Sequence, residues 1–165
     1  MTTPTSTSTP IAIWHTRPTV EQMNRPLPTL NKVLGIRFTE VGADFLRATM
    51  PVDHRTHQPM GLLHGGASVA LAETLGSAGA YLCVDANQFN VVGLEINCNH
   101  VRGVRAGVVT GTARPLHLGK STHIWEIRIT DEADRLVAIS RLTVAILSKV
   151  SKAAADINVN TNPDT

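Results

Sequence analysis

Residues 67–84 contain no proline and are rich in alanine and leucine, and this stretch constrains the fold more than any other. A run of that length without a breaker predicts a single helix, about 27 Å long at about 1.5 Å per residue. Its few polar side chains, Ser68, Glu73, Thr74 and Ser77, are mostly small, so the helix is expected to be apolar nearly all round. A helix of that kind has to be buried. The rest of the chain must supply the cover, and its pattern is that of strands. Ile36 and Phe38 share one parity, and Leu46, Ala48 and Met50 share another after a turn at Val41-Gly42-Ala43-Asp44, which predicts a hairpin. After the helix come four more strand-like runs, 91–101, 106–115, 121–131 and 135–147. They are separated by turn signals at Arg102-Gly-Val-Arg105, Leu118-Gly119 and Asp131-Glu-Ala-Asp134. Two strands, one buried helix and four strands predict an α+β fold, an antiparallel six-stranded sheet wrapped around the helix. Such a sheet has edges to protect, and pairing them in a dimer is one solution.

The remaining features set bounds. A chain of 165 residues fits one core with tails. Residues 1–10 are almost all Thr, Ser and Pro, and 149–165 hold almost no large apolar side chain, so both are expected to be disordered tails around one domain at 11–148. Thr19-Val-Glu-Gln22 is a capping-box pattern for a short helix, which Pro26 and Pro28 would end. A formal net charge of +2 is too small for a protein built to grip nucleic acid. Cys83 and Cys98 read as reduced thiols. The N-terminus lacks the basic and apolar regions of a secretory signal. Residues 60–84, the longest apolar candidate for a membrane span, are interrupted by His64 and Glu73. The expectation is a cytoplasmic protein without a membrane partner.

The chemistry concentrates in Gln58-Pro-Met-Gly-Leu-Leu-His64-Gly65-Gly66-Ala-Ser-Val-Ala-Leu-Ala-Glu73. Gly65 and Gly66 fall where a loop enters the helix, so their N–H groups have no intrahelical acceptor, and that helix end favours negative charge. A thioester carbonyl placed there would be polarised and its oxyanion stabilised. An ordinary glycine-rich loop before a helix has the same signature. Glu73 adds weight, because a carboxylate two turns into an apolar helix is disfavoured unless it has a task. Desolvation makes a carboxylate hold its proton more tightly, which suits a nucleophile or general base. The competing reading is a structural carboxylate paired with an arginine. Ser77 lies one turn on, within reach of Glu73 or a water. Gln58 and His64 are placed to orient a carbonyl or a water, or serve simply as loop polarity and a cap.

With Gly93-Leu-Glu-Ile-Asn-Cys-Asn-His100-Val-Arg102 and Pro115-Leu-His117-Leu-Gly119, this motif resembles the hotdog acyl-CoA thioesterases over roughly residues 14–147. It is similar to the Arthrobacter-type 4-hydroxybenzoyl-CoA thioesterases, and closer to the bacterial dihydroxynaphthoyl-CoA hydrolases of menaquinone biosynthesis. The resemblance implies hydrolysis of an acyl-CoA, with an aryl acyl group, and no cofactor beyond the coenzyme A of the substrate. It implies Glu73 as nucleophile or general base, the Gly65 N–H on the thioester carbonyl, Gln58 and His64 placing carbonyl and water, and Ser77 in support. It further implies that Glu73 and Ser77 face Gln58 and Gly65 of a second subunit, in a dimer that pairs into a homotetramer. The candidate substrate-binding residues are His100, Arg102, His117, Gly119, Lys120 and Ser121.

Independently of that resemblance, residues 96–125 hold no Asp or Glu, yet carry Arg102, Arg105, Arg114, Lys120, His100, His117 and His123. Arginine suits the phosphates of coenzyme A, and solvated strand ends would look the same. His100 shares strand parity with Leu94, Ile96 and Cys98, which points it toward an acyl pocket or into the core. His54 and His57 have no further ligands nearby in sequence, so no metal site is expected. A hotdog hydratase or dehydratase would need a carboxylate paired with a histidine. A non-catalytic acyl-CoA-binding module would be expected to carry an output segment.

Overall fold

The computed structural model describes residues 12–149, so the expected tails at 1–10 and 150–165 lie outside the described residues. Lys149, assigned to the second tail, is tied down, since its N–H donates to the Gln88 carbonyl. The elements run α1 (Val20–Met23), α2 (Leu30–Leu34), β1 (Arg37–Val41), β2 (Leu46–Val52), α3 (Gly65–Leu82), β3 (Phe89–His100), β4 (Gly107–Leu118), β5 (Thr122–Thr130) and β6 (Leu136–Ser148).

The strands form one antiparallel sheet in the order β1-β2-β4-β5-β6-β3. It curls around α3, whose Leu71, Ala72, Leu75, Gly76 and Gly79 pack on inward side chains such as Met50, Ile127 and Leu142. Close approach has a cost in side-chain volume. A Cβ on Gly79 would stand 2.8 Å from the Trp125 ring, which also stacks on Trp14 with centroids 6.2 Å apart. The N-terminal segment closes the other helix end, because His15 and Thr16 N–H both donate to the Leu82 carbonyl.

Thr19 and Gln22 form the expected capping box on α1. The sequence pattern missed α2, a single turn that Gly35 ends in the left-handed region at φ 70°. Its purpose is local. The Asn31 carbonyl accepts the Ile36 N–H, and the Asn31 side chain accepts from Thr74 on α3.

Two further expectations are corrected. The long helix begins at Gly65 rather than at residue 67, and it is not buried all round. Gly66, Val69, Ala70, Glu73, Thr74, Ser77, Ala78 and Tyr81 recur at helical spacing along a stripe that the sheet leaves partly exposed. The composition conceals this stripe because it is nearly as apolar as the buried face.

The two sheet edges differ. Along β1, the Asn24 side chain donates to the Phe38 carbonyl and accepts the Phe38 N–H, acting as a short mock strand. Nothing described covers β3, which pairs only with β6 over twelve residues and exposes Val92 and Leu94. A long open apolar edge is what proteins normally blunt or pair.

Candidate active site

The loop before α3 is held at several points. The Thr56 hydroxyl donates to the Pro51 carbonyl, His64 N–H donates to Thr56, and Leu63 N–H donates to Val104. The His57 ring meets the Arg105 carbonyl at 2.8 Å, while His54 stands in solvent, so these two histidines serve the loop and its surface. Gly61, at φ 69°, completes a turn in which Met60 N–H donates to Gln58 Oε1. That bond occupies the side-chain carbonyl of Gln58 and leaves its NH₂ as a donor.

His64 is the N-cap of α3, and its Nδ1 accepts the Gly66 N–H at 2.8 Å. A backbone N–H is always a donor, so Nδ1 carries no proton and the neutral ring keeps its hydrogen on Nε2. The cap also removes Gly66 from the pair of glycines expected to bind a carbonyl. Among the described residues, Gly65 is left as the free N–H at this helix end. The His100 ring lies against Gly65, and a Cβ there would stand 2.8 Å from His100 Nε2. Gln58, Gly65, Ser68, His100 and Arg102 line one cavity of about 360 Å³.

Glu73 lies elsewhere on the same helix. Ser77 donates to Glu73 Oε1 at 2.8 Å, as the helical spacing predicts, and no arginine pairs with it among the described residues. The structural-carboxylate alternative therefore lacks its partner. Glu73 is half-buried rather than enclosed, and Oε1 sits 3.0 Å from where a Cβ on Gly93 would be. Gly93 was not among the expected site residues, although a glycine inside a strand signals close approach. It lies beside a β-bulge between Gly93 and Glu95 that moves the inward face from odd to even positions. Gly93 pairs with buried Val144, and Ile96, Cys98 and His100 pair with Leu142, Ser140 and Ala138. Leu94 is the extra residue of the bulge and stays exposed, so it does not share the face of His100 as simple parity predicts.

His117, Gly119, Lys120 and Ser121 lie at the β4–β5 hairpin. Gly119, Lys120, His123, Phe89 and Cys83 line a second cavity of about 730 Å³ at the far end of α3. Within one chain, then, the expected substrate residues fall into two groups at opposite ends of the helix. Of the cations in residues 96–125, Arg114 is unavailable for phosphate, being bound to Asp44 at 2.6 Å and stacked over Phe45. Arg102 and Arg105 donate to backbone carbonyls, of Leu136 and Met60. His123 is only 4% exposed, and burial holds its pKa below the ordinary imidazole range. Cys83 and Cys98 are free thiols, and burial pushes Cys83 up to about 12, which keeps it protonated.

A curled antiparallel sheet around one helix, with a free N–H at the helix entry and a carboxylate two turns on, defines a hotdog thioesterase. The chain belongs to the thioesterase superfamily, whose family model matches residues 60–138, and it is a thioester hydrolase. It is 56% identical over 137 residues to the 1,4-dihydroxy-2-naphthoyl-CoA hydrolase of Escherichia coli, covering 82% of this chain and 99% of that one. It is 52% identical over 136 residues to the proofreading thioesterase EntH of Cronobacter turicensis, covering 82% and 98%. Its fold superposes on the crystal structure of a Pseudomonas aeruginosa thioesterase with a TM-score of 0.82 at 50% identity, over 84% of this chain and 100% of that one. Among the described residues, no helix is long and apolar enough to cross a membrane.

Proposed function

We propose that the protein hydrolyses an aryl-CoA thioester, of the dihydroxynaphthoyl-CoA kind, at a site shared by two chains, with Glu73 as nucleophile or general base. The observation that carries this reading is a distance. Gly65 and Glu73 are eight residues apart on one straight helix, roughly 12 Å along its axis. An oxyanion donor must lie about 3 Å from the carbonyl oxygen, and the attacking group about as close to its carbon. That separation along the backbone favours a donor and an attacking group that come from different chains. The open stripe of α3 bears Glu73, and the bare β3 edge runs beside it at Gly93, so a second copy seated there would complete the site. Antiparallel pairing of two β3 strands also sets the Phe89 end of each beside the His100 end of the other. The hairpin with Gly119, Lys120 and Ser121 would then meet the corner with Gly65, His100 and Arg102, reuniting the two groups of expected substrate residues. Pairing of such dimers into a homotetramer rests on the family resemblance alone.

In such a site the thioester oxygen accepts from the Gly65 N–H and the Gln58 NH₂ of one chain. Glu73 of the other, oriented by Ser77, either attacks the carbonyl carbon or takes a proton from a water that does. His64, with its hydrogen on Nε2, can donate to that water or to the carbonyl. Collapse of the tetrahedral intermediate breaks the C–S bond, and the coenzyme A thiolate leaves and takes the proton that Glu73 drew from the water; where Glu73 itself attacks, a water then hydrolyses the acyl–glutamyl anhydride, freeing the acid and supplying that proton. A hydratase would want a histidine beside the carboxylate, and the side-chain partner of Glu73 is Ser77.

The test uses Glu73→Ala and Gln58→Ala, each expected to lower kcat by about 10²–10⁴-fold and about 10-fold or more, respectively. Co-folded from denaturant at equal concentration, random pairing makes about half the dimers mixed, each with one intact site of two. Activity should return to about a quarter of wild type, by that same symmetry. No recovery from demonstrably mixed dimers would refute the shared site, and near wild-type kcat in folded Glu73→Ala would refute the role of Glu73.

A further inference from the structure

At the sheet edge opposite β3, the α1–α2 loop, α2 and β1 each turn one cation toward a cleft of about 560 Å³: Arg25, Lys32 and Arg37. No carboxylate lines it. Four arginines elsewhere, Arg47, Arg55, Arg114 and Arg135, are each 2.6–2.8 Å from a carboxylate. Among the described residues, Arg25, Lys32 and Arg37 form neither an ion pair nor a side-chain hydrogen bond. The imbalance is built into the sequence, because residues 12–39 hold Arg17, Arg25, Lys32 and Arg37 against the single carboxylate of Glu21.

The frame around these cations is fixed. Asn24 clamps the Phe38 backbone by two hydrogen bonds, and the Asn31 side chain ties α2 to Thr74. Gly35 and the prolines at 26 and 28 restrict the backbone between them. The floor is apolar, from the nearly buried Ile36 and Phe38. Three like charges held round one cleft repel each other, and an anion seated among them removes that cost. Two arginines and a lysine carried on that fixed backbone suit phosphate oxygens, and the apolar floor suits a ring or chain attached to the phosphate.

We propose that this cleft is a binding site for a phosphate-bearing small molecule. Two sources share that chemistry, the nucleotide phosphates of a coenzyme A substrate and a separate phosphorylated metabolite. The site is independent of the assignment of Glu73, since it is read by binding and not by turnover.

The probe is inorganic pyrophosphate, titrated calorimetrically into the full chain at constant ionic strength. The expected result is saturable binding that weakens severalfold in each of Arg25→Gln, Lys32→Gln and Arg37→Gln, and at least tenfold in the triple variant. Arg128→Gln, an exposed arginine on β5 outside the cleft, should leave it unchanged. All these side chains are exposed, and unaltered thermal melting confirms that the variants fold. No saturable binding by wild type at millimolar concentration, or wild-type affinity in the triple variant, overturns the proposal. So does tighter binding of an acidic peptide than of pyrophosphate, which would make the surface a protein-docking face. The source is read from KM in the triple variant. A rise for an acyl-CoA but not for the matching acyl-pantetheine assigns the phosphates to the substrate, and no change in either assigns a separate ligand.

Discussion

Gly93→Ala is the substitution that most directly tests whether the carboxylate of Glu73 must stand where it does. The added methyl carbon would lie 3.0 Å from Glu73 Oε1. A carbon and an oxygen in weak contact settle at about 3.3–3.6 Å, so the carboxylate has to retreat by roughly 0.3–0.6 Å. It cannot retreat freely, because the same oxygen holds the Ser77 hydroxyl at 2.8 Å. Misplacement by 1 Å costs on the order of 10²-fold in rate, and scaling that to this retreat gives a loss of about 4- to 16-fold in kcat. In barrier terms this is about 0.8–1.6 kcal/mol. The backbone at Gly93 does not have positive φ, so alanine fits it, and a shorter list of unfolded conformations should hold or raise stability by about 0.4–1 kcal/mol. The assay is free-thiol release from an aryl-CoA at saturation, alongside thermal melting. Wild-type kcat in a folded Gly93→Ala would show that the position of Glu73 beside β3 is irrelevant to turnover. A parallel fall in melting temperature would show that the loss is structural.

Two further outcomes follow from the packing. Gly79→Ala sets a Cβ 2.8 Å from the Trp125 ring. Overpacking of that kind costs about 1–3 kcal/mol, and the gain in helix propensity returns only about 0.8–1.0. Melting should fall by about 2–4 °C for each kcal/mol of the difference, and a rise would show that the Trp14–Trp125 stack relaxes without strain. Buried His123 stays neutral when folded, its pKa lowered chiefly by desolvation. Below about pH 6.5 the unfolded chain therefore binds a proton that the folded chain refuses. Wild type should lose stability relative to His123→Gln as pH falls through 6.5 toward the lowered value, and match its trend above. Denaturant unfolding of both from pH 8 to 5 checks this, and parallel curves throughout would remove the burial argument.

The sequence by itself determined what depends on neighbours along the chain. Alternation located the first two strands, and strand-like runs between turn signals located the other four, to within a few residues, because a strand's period and its turns are local to the chain. The proline-free run gave α3, and the four-residue spacing of Glu73 and Ser77 gave their hydrogen bond. The capping box at Thr19 was equally local. Other features were decided only when distant segments met. Strand order sends β3 past β4, β5 and β6 to the open edge, a placement that its own pattern did not indicate. The bulge at Leu94 reversed the parity by which inward residues were counted. The cap of His64 took the Gly66 N–H, and Asp44 took Arg114, so two apparent ligand groups were already engaged. Most of all, sequence spacing set Gly65 and Glu73 in one motif, while the rigid rise of a helix holds them roughly 12 Å apart. Proximity in a motif is measured along the chain and catalysis is measured in space, and that difference is the ground on which the two-chain site is proposed.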